Sequence, residues 1–324
     1  MHASKEGTAR FADRFPQHRD AGFYRTVRDL LASSLGIGTY LAVSTDALVA
    51  AAEGGINVFD AAINYQHQQS ERAIGEALRQ LQRDEIVVCT KAGFLTPGAV
   101  PFSLPKEDIV GGMHSMAPDF LEDQIDRSRA NMGIDTLDVF YLHNPETQLG
   151  FVTRDRFDKR VLAAFDRLER LADQEKIRWY GMATWDGFRK KDALSLPRIV
   201  DLAQQAGGPE HRFRFIQLPF NLGMVEAFVD RPESVLEAAA RLGVTVIASA
   251  TLSQARVLGH MPDGVGEKLP GLATDAQRAI QFTRSTPGIS VALVGMSRRE
   301  HVLENLGVAG VPPVAREDYL RLYQ

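Results

Sequence analysis

Eight short apolar runs rich in β-branched residues recur along this 324-residue chain, separated by longer segments whose apolar residues return at spacings of three and four. Runs of that kind build strands, and the three-and-four spacing builds helices with one buried stripe. The strands are expected at Ser34 to Tyr40, Ile56 to Ala61, Ile86 to Lys91, Leu137 to His143, Ile177 to Ala183, Phe213 to Pro219, Val244 to Ser249 and Ser290 to Gly295. Ile74, Ala77, Leu78 and Leu81 form one helical stripe, Val161, Leu162, Phe165, Leu168 and Leu171 a second, and Val235, Leu236, Ala239 and Leu242 a third. Eight strand-helix pairs closing on themselves predict a single-domain α/β fold, the (β/α)8 TIM barrel; a doubly wound open sheet normally has fewer strands.

Residues 1–25 read as an N-terminal extension, 26–309 as the barrel and 310–324 as a C-terminal tail, with both ends packing on the barrel. The longest connections, Leu95 to Pro118 and Gln254 to Ala273, follow the third and seventh strands and so belong over the active-site face. Gly98, Pro101, Pro105, Gly111 and Gly112 make the first irregular, as expected of a substrate-covering loop. A net charge of -4 with no long run of one sign argues against nucleic acid and anionic membranes. Cys89 is the single cysteine, which excludes an internal disulfide and the Cys-rich zinc patterns. The polar stretch from Met1 to Asp20 lacks the apolar core of a signal peptide, and no segment reaches membrane-spanning length, so a cytoplasmic protein is expected.

Parallel barrels carry their active sites at the C-terminal ends of the strands. Asp60, Tyr65, Lys91 and His143 each sit at or just beyond such an end. A phenol has a reference pKa of about 10, too high for proton transfer at neutral pH unless a cation stabilises the phenolate. Lys91 is placed to be that cation, Asp60 to orient it, and His143 to donate a hydrogen bond to a carbonyl oxygen. None of the four is a hydride source, so a reduction needs a borrowed cofactor. The chain has no H-x-H and no concentrated His and Asp set, so no metal site is expected and a zinc hydrolase is disfavoured. Lys91 alone also fits a Schiff-base aldolase.

The segment Gly55 to Tyr65, followed by Ser70-Glu71 and Gly75 to Leu78, resembles the first signature of the aldo-keto reductases, of the bacterial aryl-alcohol dehydrogenase-like kind. Thr90-Lys91 and Asp138 to Pro145 are similar to the family's lysine and histidine sites, and the likeness runs from Leu35 to Asn305. It implies a catalytic tetrad of Asp60, Tyr65, Lys91 and His143 and a nicotinamide cofactor lying across the barrel mouth without a G-x-G-x-x-G loop. It further implies cofactor contacts at Gly38, Thr39, Ala183, Thr184, Gln217, Ser249, Leu252, Gly295, Ser297, Arg298, Glu304 and Asn305. Gln217 would hold the carboxamide, and Arg298, with Arg299 as a substitute, would pair with a 2′-phosphate, favouring NADPH over NADH.

Three positions depart from the family pattern. Ala183-Thr184 stands for Ser-Asn, Ser249-Ala-Thr-Leu252 replaces an aromatic residue followed by Ser-Pro-Leu, and Ala255 takes the place of a loop glycine. Trp185 or Phe94 is a candidate to cover the nicotinamide instead. The changes bear on the cofactor, and they keep open a nucleotide-sensing or partner-binding barrel with little turnover. Tyr40, Phe94, Asn144 and Trp185 would build the pocket for an aldehyde or ketone of moderately apolar character, and a monomer is expected by analogy.

Overall fold

The computed structural model describes all 324 residues except Asp192, Pro262, Asp263, Gln324 and the side chain of Glu267. Strands β1 (Tyr24–Val27) and β2 (Leu30–Ser33) pair as an antiparallel hairpin. The barrel strands are β3 (Leu35–Gly38), β4 (Val58–Asp60), β5 (Val87–Ala92), β6 (Leu137–His143), β7 (Ile177–Ala183), β8 (Phe213–Pro219), β9 (Thr245–Ser249) and β10 (Ile289–Gly295). They close in sequence order, with β10 joining β9 to β3, and every pair is parallel. The expected barrel is therefore present. β6, β7 and β8 have the expected bounds, while β3 and β4 are shorter because Ser34 and Thr39 to Tyr40, and Ile56 to Asn57 and Ala61, lie outside the ladder.

Two apolar layers follow from the strands' alternation. Val58, Val87, Cys89, Val139, Tyr141, Phe215, Ile247, Val291 and Leu293 fill the barrel interior, and Ala3, Val27, Leu30 and Ala32 close its N-terminal end. The outward layer meets the helices through buried side chains such as Ile74, Phe165, Leu168 and Ile199. Each such side chain contributes roughly 1.5–3 kcal/mol on leaving water. All three anticipated stripes lie on helices: Ile74, Ala77 and Leu78 on Gln69–Leu78, Val161 to Leu171 on Arg154–Asp173, and Leu236 and Ala239 on Val235–Arg241. Gly181 is required where β7 shifts register against β8, since a Cβ there would stand 2.0 Å from the Phe215 carbonyl oxygen.

The chain's two ends are built elements. Helix Lys5–Asp13, capped by Ser4, buries Phe11 and Ala12, and Arg10 and Arg14 both bind Glu85. The C-terminal helix Arg316–Leu320 buries Tyr319, whose hydroxyl meets Thr286 Oγ1 at 2.6 Å. The 95–118 loop is ordered by the bridges Phe94 to His114 and Val110 to His114, and helix Pro118–Met132 begins directly after it. The 254–273 connection contains the undescribed Pro262 and Asp263. Among the described residues, no helix is long and apolar enough to cross a membrane.

Candidate active site

β4 ends in Asp60, β5 carries Lys91 and β6 ends in His143, so three neighbouring strands deliver three of the four candidates to one rim. Lys91 Nζ donates to Asp60 Oδ2 at 2.6 Å and to the Ala61 carbonyl at 2.6 Å. Asp60 Oδ1 accepts from Gln217 Nε2 at 2.8 Å. Both carboxylate oxygens are thus committed to orienting neighbours. Asp60 and Lys91 are buried, and an ion pair sealed this way is stable only when its geometry satisfies both partners. Burial alone would discharge Lys91, but Asp60 and the nearby Tyr65 outweigh it and hold the ammonium above its ordinary range.

Tyr65 follows β4 on a short turn in which Gln66, His67 and Gln68 all adopt positive φ. Each left-handed non-glycine residue costs on the order of 1–2 kcal/mol. The turn is pinned in return: Gln66 Nε2 donates to the Thr39 and Tyr40 carbonyls, and Gln68 Oε1 accepts from Asn131. The Tyr65 ring then lies 5.0 Å from Lys91 Nζ and 5.7 Å, edge-on, from the His143 ring. Burial raises the phenol above its usual value and exceeds the lowering by Lys91. The cation is where it was expected, but it moderates the phenol rather than turning it into a phenolate. Tyr65 therefore stands protonated at neutral pH, as a proton donor must.

His143 is buried, and burial followed by the Lys91 charge pushes its pKa well down, so its imidazole is neutral. Its Nδ1 lies 3.1 Å from Asn64 Oδ1, and the Phe94 ring meets it edge-on at 5.2 Å. Beneath it, His114 Nε2 donates to the His143 carbonyl at 2.8 Å while Gln148 Nε2 donates to His114 Nδ1 at 3.1 Å. Gly93 lets this contact form, because a Cβ there would sit 2.6 Å from both His114 Nε2 and the His143 carbonyl oxygen. His114 and Asn64 were not singled out from the sequence as site residues. Both lie in irregular connections, where side-chain direction cannot be read from periodicity.

The remaining candidates fall into two groups. Gly38 is in register with Asp60 and with Gly295. The Thr39 hydroxyl is already used, donating to the Asp60 carbonyl at 2.9 Å and touching Ser70 Oγ. Ala183 lies level with both His143 and Gln217, and Ser249 with Pro219. Leu252 packs partly buried on the main core. Tyr40 is exposed, its ring edge-on to Tyr65 at 5.2 Å. Asn144 and Trp185 border a cleft of about 550 Å³, where Glu146 Oε1 accepts from the backbone N–H groups of Trp185, Asp186 and Gly187.

Across the barrel, Arg298 lies 3.3 Å from His301 Nε2, and Ser297 Oγ lies 3.4 Å from His301 Nδ1. Arg299, expected as the substitute phosphate ligand, pairs here with Asp46 and Glu53 at 3.6 and 3.5 Å. Glu304 and Asn305 end the helix Arg299–Asn305.

A nicotinamide dinucleotide fits this rim by its unmatched polar atoms. Thr184 Oγ1 and Asn305 Oδ1 are both buried and without a hydrogen-bond partner. Buried polar atoms normally find partners, so these two, among the described buried side-chain atoms without one, are free to meet ligand groups. The Thr184 hydroxyl suits a carboxamide and the Asn305 carbonyl oxygen an adenine amino group. Among the described residues, no group of three or more His, Cys, Asp or Glu is placed to hold a metal ion.

A family model described as the aldo/keto reductase family matches residues 39–263. The D-threo-aldose 1-dehydrogenase of a Pseudomonas species is 26% identical over 291 residues, covering 82% of each protein. A putative voltage-gated potassium channel subunit beta from Schizosaccharomyces pombe is 24% identical over 281 residues, 78% of this chain and 74% of that one. Among solved structures, the glycerol dehydrogenase of Gluconobacter oxydans superposes with a TM-score of 0.69 at 17% identity, covering 94% of both chains. An aldo/keto reductase from Klebsiella pneumoniae, in complex with NADP and acetate, gives 0.64 at 20% identity and 91% of both. These structural likenesses share the barrel.

Proposed function

The chain belongs to the aldo/keto reductase family, and from that premise we propose that Asp60, Tyr65, Lys91 and His143 are its catalytic group, with Tyr65 the proton donor. The protein is an oxidoreductase that reduces aldehydes or ketones to alcohols with NADPH. When bound, NADPH supplies the hydride that reaches the carbonyl carbon. Tyr65 gives its phenolic proton to the carbonyl oxygen as negative charge develops there. The phenolate left behind lies beside the Lys91 ammonium, which Asp60 and the Ala61 carbonyl keep aimed. His143 hydrogen-bonds the same oxygen from the other side. Gly38, Thr39, Ala183, Thr184, Gln217, Ser249 and Leu252 serve the nicotinamide side, and Gly295, Ser297, Arg298, Glu304 and Asn305 the adenosine side. Tyr40, Phe94, Asn144 and Trp185 line the substrate's approach.

The observation that carries this reading is the sealed 2.6 Å Lys91–Asp60 pair with the Tyr65 ring 5.0 Å from the ammonium. Its test is NADPH consumption by the purified protein over a broad panel of aldehydes and ketones, with Tyr65→Phe in parallel. Turnover in the parent and near-complete loss in the variant support the assignment. NADPH binding without reduction of any carbonyl would instead favour the sensing role, for which the likeness to channel β subunits is the motive. The protein is further proposed to be a cytoplasmic monomer, checked by cell fractionation and by light scattering coupled to gel filtration.

A further inference from the structure

Asn144, directly after His143, has a left-handed backbone at φ 47°, and its N–H donates to the Ala183 carbonyl at 2.6 Å. The turn starts the short 3-10 helix Pro145–Gly150, from which Glu146 reaches back to the chain that follows β7. There one oxygen, Oε1, accepts from three successive backbone N–H groups: Trp185 at 2.7 Å, Asp186 at 3.1 Å and Gly187 at 3.2 Å. The roles are fixed by chemistry, since a backbone amide nitrogen only donates. Among the described residues no other acceptor meets these three groups. The bonds from this segment to its neighbouring strand end one residue earlier, with the Thr184 N–H on the Gln217 carbonyl at 2.9 Å. Gly187 completes the link, because a Cβ there would stand 2.9 Å from Thr184 Cγ2 and 3.0 Å from Thr184 Cβ. The fastened glycine backbone thus lies against the side chain whose hydroxyl is buried without a partner.

We infer that Glu146 is a positioning residue: through the Trp185, Asp186 and Gly187 amides it holds Thr184 and Trp185 in place for nicotinamide and substrate. It thereby joins the strand end that carries His143 to the strand end that carries Thr184. This deepens the reading above and rests on its assignment of Thr184 to the carboxamide and Trp185 to the substrate's approach. The role requires an accepting oxygen at Oε1 and no charge. Glu146 acts through the backbone it holds and needs no contact with either ligand. When that backbone is released, only the fraction of molecules with Thr184 and Trp185 in place is competent to bind, and apparent affinity falls by that fraction. The chemical step, carried by groups on β4, β5 and β6, is left nearly as it was. With Ala183-Thr184 standing for Ser-Asn, a single hydroxyl serves the carboxamide here, so its placement depends on this fastening.

The direct test is hydrogen exchange of the Trp185, Asp186 and Gly187 amides in ¹⁵N-labelled protein without ligands. These amides should be protected in the parent and exchange at least about tenfold faster in Glu146→Leu. Glu146→Gln keeps the accepting oxygen and puts its Nε2 where Oε2 has no partner to lose, so its exchange should stay within about threefold of the parent. The functional readout is a split between binding and chemistry. Glu146→Leu should raise the NADPH Kd and the carbonyl KM on the order of tenfold and leave kcat within about threefold, with Glu146→Gln close to the parent in all three. Unchanged exchange in Glu146→Leu overturns the inference, as does faster exchange with Kd and KM both unchanged. Glu146→Gln behaving like Glu146→Leu overturns it as well, because the accepting oxygen would then not be what matters. If Glu146→Leu does not fold, Glu146→Asp, one methylene too short to meet all three N–H groups, takes its place with the same expectations. Absence of carbonyl turnover in the parent would refute the catalytic reading, and exchange with NADPH titration would then decide the inference alone.

Discussion

The two sides of the barrel mouth are strained in the same way and anchored differently. On the tetrad side, Gln66, His67 and Gln68 have positive φ, and side chains tie the turn to β3's carbonyl end and to Asn131. After β9, Ala250, Ser253, Gln254 and Ala255 have positive φ as well, but the backbone bonds Ser253 to Ala250 and Arg256 to Ser253 hold that turn, with Asn221 reaching the Ala250 carbonyl. The polar groups divide likewise. Asp60, Lys91, Thr39, Glu71 and Thr90 all have partners, whereas Asn305 Oδ1 has none. The proposed proton-transfer group is held by its own hydrogen bonds, whereas Thr184 Oγ1 and Asn305 Oδ1, on the proposed cofactor contacts, are without partners. Preorganisation of this kind matters most where charge develops in the transition state.

The sharpest break in that contrast is Lys91→Met. It strips the phenol of its cation and leaves Asp60 buried beside an apolar chain. Steady-state assays should show kcat reduced on the order of a thousandfold, and chemical denaturation a loss of about 3–5 kcal/mol, the range for breaking a buried pair from one side. A catalytic loss without a stability loss would mean that Asp60 relaxes by taking up a proton.

His114 probes the same side through pH. Burial pushes it down from 6.5 to about 4, so between those values the unfolded chain binds more protons than the folded one. Its stabilising share is complete above pH 6.5 and is lost as pH falls toward 4, amounting to about 3 kcal/mol at most. Unfolding midpoints measured from pH 7 to pH 4 should fall less steeply in His114→Asn than in the parent. Equal slopes would remove His114 from the account.

On the other side the effects are smaller and confined to binding. Arg298→Ala should weaken NADPH about ten- to a hundredfold in fluorescence titrations, the scale of a hydrogen bond to a charged group, while leaving NADH affinity as it is. Arg299→Ala should change NADPH affinity less than twofold, because Asp46 and Glu53 already engage that guanidinium. The effect of Ala255→Gly should lie between those of the two arginines. At φ 67° the alanine Cβ is unfavourable, so glycine should relieve about 1 kcal/mol of strain and tighten NADPH severalfold. Weaker binding would show that the turn gains more from a stiff residue than from a relaxed one.

The strand ends that carry Asp60, Lys91 and His143 were legible in the sequence because fully buried parallel strands read as unbroken apolar runs ending in a polar residue. β6 is the clearest case, expected and found at Leu137–His143. The β1–β2 hairpin was not visible: its two four-residue strands mix Tyr, Arg, Thr and Ser with apolar residues, and their value comes from plugging the barrel base. Arg298 and Arg299 look alike in sequence, and only the carboxylates of a distant helix separate them. Asn64 and His114 acquire meaning from His143, to which loops bring them from 79 and 29 positions away. Thr184 was noticed as a departure, but its unpartnered hydroxyl is a property of the folded chain.

The claim that proton transfer and dinucleotide binding reside in separable groups is tested most directly by single-turnover hydride transfer at saturating NADPH in Tyr65→Phe and Arg298→Ala. Tyr65→Phe should bind NADPH as the parent does and transfer hydride at least about a hundredfold more slowly. Arg298→Ala should need more NADPH and then react at the parent rate. Parent-like hydride transfer in Tyr65→Phe, or a slow step in saturated Arg298→Ala, would contradict the account.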